Sequence, residues 1–178
     1  MSIINENKIK KIATNSVLLA TGLIFSYIDY LIPFKFFSFF LKIGLSNIII
    51  IVSLFITTKT DTFLIGLMRV IIMSFLFANF TYFLLSIFSF IGSFLWMAII
   101  YKIFQKKMNI EKLVFTMSIP SAIINNTIQV LVLIVITSNY YIFKIFFILV
   151  IEGFFVGFLI AILSILIIKL IKYKNINI

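Results

Sequence analysis

The chain has 178 residues, 63% of them hydrophobic and only 11% charged, and carries a net charge of +10. Soluble domains have nearer about 45–50% apolar and about 25% charged residues, so the composition excludes a soluble fold and predicts an all-α, polytopic membrane protein. Cysteine and histidine are both absent, which removes disulfides, thiolate chemistry, the commonest zinc ligand and the usual general base.

Apolar stretches of roughly 17–25 residues are what a hydrocarbon core of about 30 Å requires of a spanning helix, and several follow one another here. After a short basic tail, span one is predicted over Ala13–Ile32, ending at Pro33, whose ring and missing N–H break a helix. It is too long for the apolar region of a signal peptide and lacks a small-residue cleavage site, so it is expected to be retained as the first span. Residues 33–41, PFKFFSFFL, form an aromatic connection suited to a membrane interface. Span two covers about Lys42–Thr58, a polar hinge follows at Thr57–Thr62, and span three covers about Thr62–Ala78. Asn79 joins it tightly to span four, Thr81–Ile103. A polar loop, FQKKMNIEK at 104–112, leads into span five, Leu113–Thr137, with Pro120 inside it. The segment SNYY then turns the chain into span six, Ile142–Ile171, which is long enough to tilt or protrude. One integral membrane domain of six spans is expected over residues 1–178.

Lysine placement orients the bundle. With a cytoplasmic N-terminus, only Lys35, Lys42 and Lys144 fall outside, and the other eleven lysines fall inside. By the positive-inside rule both termini are cytoplasmic. The positive charge thus follows membrane topology and forms no basic stripe on a soluble surface, so nucleic acid is not an expected partner.

Three ionisable residues fall within spans: Asp29, Arg69 and Glu152. A charge at the bilayer centre costs at least roughly 2.5–3.5 kcal/mol. At about 1.5 Å per residue, Arg69 lies on the order of 10 Å from the inner end of span three and Glu152 roughly 15 Å from the outer end of span six. Span five adds Asn125, Asn126 and Gln129 near the same depth, with Asn125 and Gln129 four apart on one face. Two arrangements fit these residues: a polar ligand pocket between spans three, five and six, or a structural Arg69–Glu152 pair with amides bridging helices. Asp29 reads as a solvated helix-end residue. Gly153 and Gly157 form a GxxxG expected to pack within the monomer, and small residues also line span one (Ala13, Ser16, Ala20) and span four (Ser86, Ser89, Ser93). No phosphate-binding loop, metal motif or nucleophile–base set is present, so no catalytic residue, metal site or cofactor is expected.

Several stretches resemble the Gx transporter family, also labelled heptaprenyl diphosphate synthase component I. They are SYIDYLIP at 26–33, KIGLSNI at 42–48, LMRVIIMSFLFANF at 67–80, the serine/glycine span ending near Trp96–Met97, and SAIINNTIQVLV at 121–132. This chain departs from the family in having Asn125-Asn126 where His-Asn is usual, and Asp29 where the first-span acid is commonly Glu. The resemblance implies a substrate-binding (S) component of an energy-coupling-factor importer, partnered by a transmembrane scaffold and ATPase subunits in the bacterial cytoplasmic membrane. It implies a small-molecule ligand, with docking through Ser16 and Ala20; the candidate ligand contacts are Arg69, Asn47, Asn125, Asn126, Gln129 and Glu152. The alternative is a non-catalytic membrane subunit assisting polyprenyl diphosphate synthesis. Catalysis of that synthesis needs aspartates that hold magnesium on a diphosphate, and the only aspartates, Asp29 and Asp61, lie on different segments.

Overall fold

The computed structural model describes residues 2–31, 44–77 and 80–176. All regular structure in them is helical: α1 (Ser2–Leu31), α2 (Asn47–Ile56), α3 (Lys59–Leu76), α4 (Phe80–Phe104), α5 (Ile110–Thr137), a short 3-10 turn (Tyr140–Ile145) and α6 (Phe146–Ile176). Four of these regions are long and apolar enough to cross a membrane: Lys8–Leu31, Phe80–Phe104, Ile110–Thr137 and Tyr140–Tyr173. The aromatic connection expected at 33–41 and the junction at Asn79 lie outside the described residues.

The largest correction concerns span two. Instead of a crossing over Lys42–Thr58, α2 has 10 residues, a rise of about 15 Å, or half a hydrocarbon core. Its sequence, NIIIIVSLFI, is rich in β-branched residues that are indifferent helix formers. Packing on every side compensates, because Ile48 through Leu54 are all buried. A helix apolar all round belongs in an interior, and α2 is the centre of the bundle, in contact with each of the five other helices. Around it α1 packs on α3, α3 on α4, α4 on α5 and α5 on α6.

Two features set the ends of α2. At its start Gly44 has φ +86°, a left-handed conformation that glycine adopts without steric cost. At its end Thr57 leaves the helix with extended geometry, and Thr58 caps α3. The Asp61 N–H donates to Thr58 Oγ1 at 3.2 Å, and the Thr58 hydroxyl donates back to Asp61 Oδ2 at 2.5 Å, a reciprocal cap of the Ser/Thr-x-x-acid type. The polar hinge predicted at Thr57–Thr62 is this turn.

Close packing of α5 and α6 follows from the GxxxG. A Cβ at Gly157 would sit 2.7 Å from the Ile119 Cα, and one at Gly153 would sit 3.1 Å from the Ile123 Cα. The backbones therefore approach as small residues allow in lipid. Ser118 Oγ donates to the Gly157 carbonyl at 2.6 Å, and Asn126 Nδ2 to the Leu149 carbonyl at 3.0 Å. The motif packs within the monomer, as its sequence suggests.

Pro120 sits inside α5 and cannot donate to the carbonyl four residues earlier. That carbonyl, of Thr116, accepts from Trp96 Nε1 of α4 at 3.2 Å. The lone tryptophan thus replaces the hydrogen bond that proline removes.

One end of the bundle is basic. There Lys11 pairs with Asp61 at 2.9 Å, Lys169 pairs with Glu111, and Lys59 lies 6.0 Å from the Tyr101 ring centroid. At the opposite end Tyr30 stacks on Phe77, centroids 3.8 Å apart, and meets Tyr82 edge-on.

Candidate functional site

The functional candidate is a polar cavity of about 30 Å³ between α1, the turn into α2, α3, α4 and α5. Two positions near the end of α1, Ser26 and Asp29, put it nearer the aromatic end of the bundle than the basic end. Gly44, Ser46 and Asn47 contribute from the turn, Arg69, Val70 and Met73 from α3, Tyr82, Ser86, Ser89 and Phe90 from α4, and Asn125 and Gln129 from α5.

Arg69 dominates it. The residue is 6% exposed, and its Nη1 nitrogen has no hydrogen-bond partner. Three neighbours seat its side chain. Gly22 on α1 lies beside the stem, where even a Cβ would make only ordinary contact, 3.5 Å from Arg69 Cδ. Phe90 places its ring centroid 5.9 Å from the guanidinium carbon, within cation–π range. Gly66, one turn before Arg69, seats that ring, because a Cβ at Gly66 would lie 2.2 Å from Phe90 Cε2. Of the two glycines, Gly66 is the one this arrangement requires, through the Phe90 ring.

Asp29 overturns its sequence reading as a solvated helix-end residue. It is 5% exposed. Its Oδ1 accepts from the Leu45 N–H at 3.1 Å and its Oδ2 from the Ser46 N–H at 3.2 Å. Asp29 is thus the anion at the positive end of the α2 dipole, and it is near enough to act electrostatically on Arg69. The Asn47 and Ile48 N–H groups bond back to the Gly44 and Leu45 carbonyls at 2.9 and 3.0 Å. The entry to α2 is hydrogen-bonded from α1 and from within.

Of the six residues expected at a ligand, Arg69, Asn47, Asn125 and Gln129 meet at the cavity. The other two do not line it. Asn126, one residue and about 100° round the helix from Asn125, turns to α6 and bridges to Leu149. Glu152, partly exposed on α6, is outside the lining, whereas Asp29 lines the cavity together with Arg69. The expected docking residues Ser16 and Ala20 are exposed on α1. Sequence reasoning missed Tyr82, Ser26 and Ser46, and read Ser86 and Ser89 as a packing stripe. The available signal was a carboxylate at the end of one helix, followed within 20 residues by a Gly-x-Ser-Asn turn.

Among the described residues no three His, Cys, Asp or Glu side chains are grouped to hold a metal ion. The cavity's chemistry is hydrogen bonding around one guanidinium.

Apolar helices long enough to span a membrane, around a partly open cavity lined by a buried arginine, define an integral membrane protein with a candidate small-molecule site. The family model described as heptaprenyl diphosphate synthase component I matches residues 18–167, and the chain belongs to that family. The matched stretch contains every residue that lines the cavity. Neither the curated proteins nor the solved structures include a match.

Proposed function

We propose that this protein captures a small molecule at the Arg69 cavity and hands it to separate energising subunits, as the S component of an energy-coupling-factor-like importer. The observation that carries the reading is the buried guanidinium with an unpartnered nitrogen, in a cavity lined by amides and hydroxyls from four other parts of the chain. Burying an unsatisfied charged donor is costly, and a ligand acceptor relieves that cost. In this reading the six helices sit in the cytoplasmic membrane with both termini inside, because the basic end carries the lysine excess. The cavity then faces the outer side, from which an importer takes its substrate. A half-length central helix ending at a polar site is also how many transporters build binding sites near the membrane midplane. The protein is non-catalytic in this scheme, and the small residues Ser16 and Ala20 on α1 give a scaffold subunit a surface to approach.

The family description favours a second reading, a membrane subunit of a heptaprenyl diphosphate synthase. Purification from native membranes in mild detergent separates the two. Copurifying ATPases and a membrane scaffold support import, whereas a copurifying soluble prenyl synthase supports the second reading. If neither copurifies and no added small molecule raises the melting temperature, the import reading is wrong.

A further inference from the structure

The charges and dimensions of the cavity narrow its ligand. Among the described residues three formal or partial charges surround it: the Arg69 guanidinium, the Asp29 carboxylate, and the N-terminus of α2, worth about +0.5 of an elementary charge. Together they leave about +0.5. A monoanion brings the sum to about −0.5, whereas a phosphate monoester carries about −1.5 to −2 and a diphosphate more. At membrane depth an uncompensated charge is the expensive quantity; a monoanion leaves the site no farther from neutrality than when it is empty, whereas a phosphate monoester leaves it at about −1 to −1.5, so among anions the site favours a single negative charge.

The hydrogen-bonding inventory points the same way. The backbone N–H groups that would cradle a phosphate at the start of α2 are taken: those of Leu45 and Ser46 by Asp29, those of Asn47 and Ile48 by carbonyls. Among the described residues Arg69 Nη1 is a buried donor with no partner, and the Asn125 and Gln129 amides line the same cavity. Space agrees as well. The enclosed part of the cavity, about 30 Å³, holds roughly two or three water-sized groups at about 10–15 Å³ each, the size of a carboxylate, and the cavity is partly open, so the rest of a ligand can extend beyond it.

We propose that the cavity selects a small monocarboxylate, its carboxylate on Arg69 Nη1 and its other polar groups on the amides of Asn125 and Gln129. This rests on the cavity being a capture site, as argued above, and adds the class of ligand. The acid is either water-soluble or the head of a lipid, since both present the same group.

Arg69 is the only arginine in the chain, so labelling arginine with nitrogen-15 gives a single guanidinium signal by magnetic resonance. The wild-type protein in lipid nanodiscs is titrated separately with sodium acetate, sodium oleate, sodium phosphate and sodium pyrophosphate, against sodium chloride at equal ionic strength. A saturable shift with acetate is expected for water-soluble acids, and one with oleate alone identifies a lipid-borne acid. A shift by phosphate or pyrophosphate at lower concentration than either acid overturns the proposal, and so does a signal that no probe moves. Copurification of ATPases is read independently. If they copurify while both acids fail, the monocarboxylate assignment falls and the import reading stands.

Discussion

Replacing Asp29 by leucine should be among the most damaging single changes to this protein, although Asp29 is only two residues from the end of α1. The substitution leaves the part-buried N–H of Leu45 and the buried N–H of Ser46 without their acceptors, at about 1–3 kcal/mol for a buried group and less for a part-buried one. It also strips Arg69 of its nearby counter-charge, and breaking a buried charged arrangement from one side typically costs about 3–5 kcal/mol. Because the two terms overlap, a total of roughly 3–5 kcal/mol is expected. For a chain of this length each kcal/mol moves the melting temperature by about 2–4 °C, so the fall should be on the order of 6–20 °C. Thermal melts in detergent, followed by helical circular dichroism, read it directly. Adding Arg69→Leu should give a double variant that loses less than the sum of the singles, by about 1–3 kcal/mol. Glu152→Leu combined with Arg69→Leu should instead be additive within about 0.5 kcal/mol. The reasoning fails if Asp29→Leu melts within about 2 °C of wild type, or if Glu152 and not Asp29 couples to Arg69.

Other expectations follow from single contacts. Trp96→Phe orphans the Thr116 carbonyl opposite Pro120 and should cost about 1–3 kcal/mol; Pro120→Ala in that background restores an N–H donor and should recover part of the loss in the same melts. Gly157→Ala drives a Cβ to 2.7 Å from the Ile119 backbone and should cost about 1–3 kcal/mol. Gly22→Ala, where the nearest atoms lie at 3.5 and 3.6 Å, should melt at or slightly above wild type, since alanine is the better helix former by about 1 kcal/mol. At the basic end, hydrogen bonding from Thr58, then from Lys11, holds the Asp61 carboxyl below its ordinary value of 3.8. A depressed carboxyl contributes stability that is present above that ordinary value and lost as pH falls through the depressed one. Acid melts of wild type and Asp61→Asn should therefore converge below pH 3.8; curves that stay parallel would remove Asp61 from the account.

Much of the bundle is legible in the residue pattern. Apolar runs place α4 at 80–104 against an expected 81–103, and α5 at 110–137 against 113–137. Depth is legible too, since rise per residue puts Arg69, Asn125 and Gln129 at one level. Direction around a helix is harder. Asn125 and Asn126 differ by about 100°, and only the close approach of Gly153 and Gly157 to α5 decides that Asn126 serves α6 while Asn125 serves the cavity. For Glu152 the depth estimate gives no azimuth. The length of α2 was hidden for a different reason: an apolar run at 42–58 is the same pattern for a spanning helix and for a helix buried on all sides. What separates them is long-range, the Asp29 carboxylate reaching 16 and 17 residues along the chain to fix where α2 begins.

The most direct measurement on the central claim is native mass spectrometry of the protein released from its own membranes, wild type beside Arg69→Gln. Capture at the Arg69 cavity predicts a discrete small-molecule adduct on the wild type that is missing from the correctly folded variant. A bare wild-type mass, or the same adduct on both proteins, would contradict it.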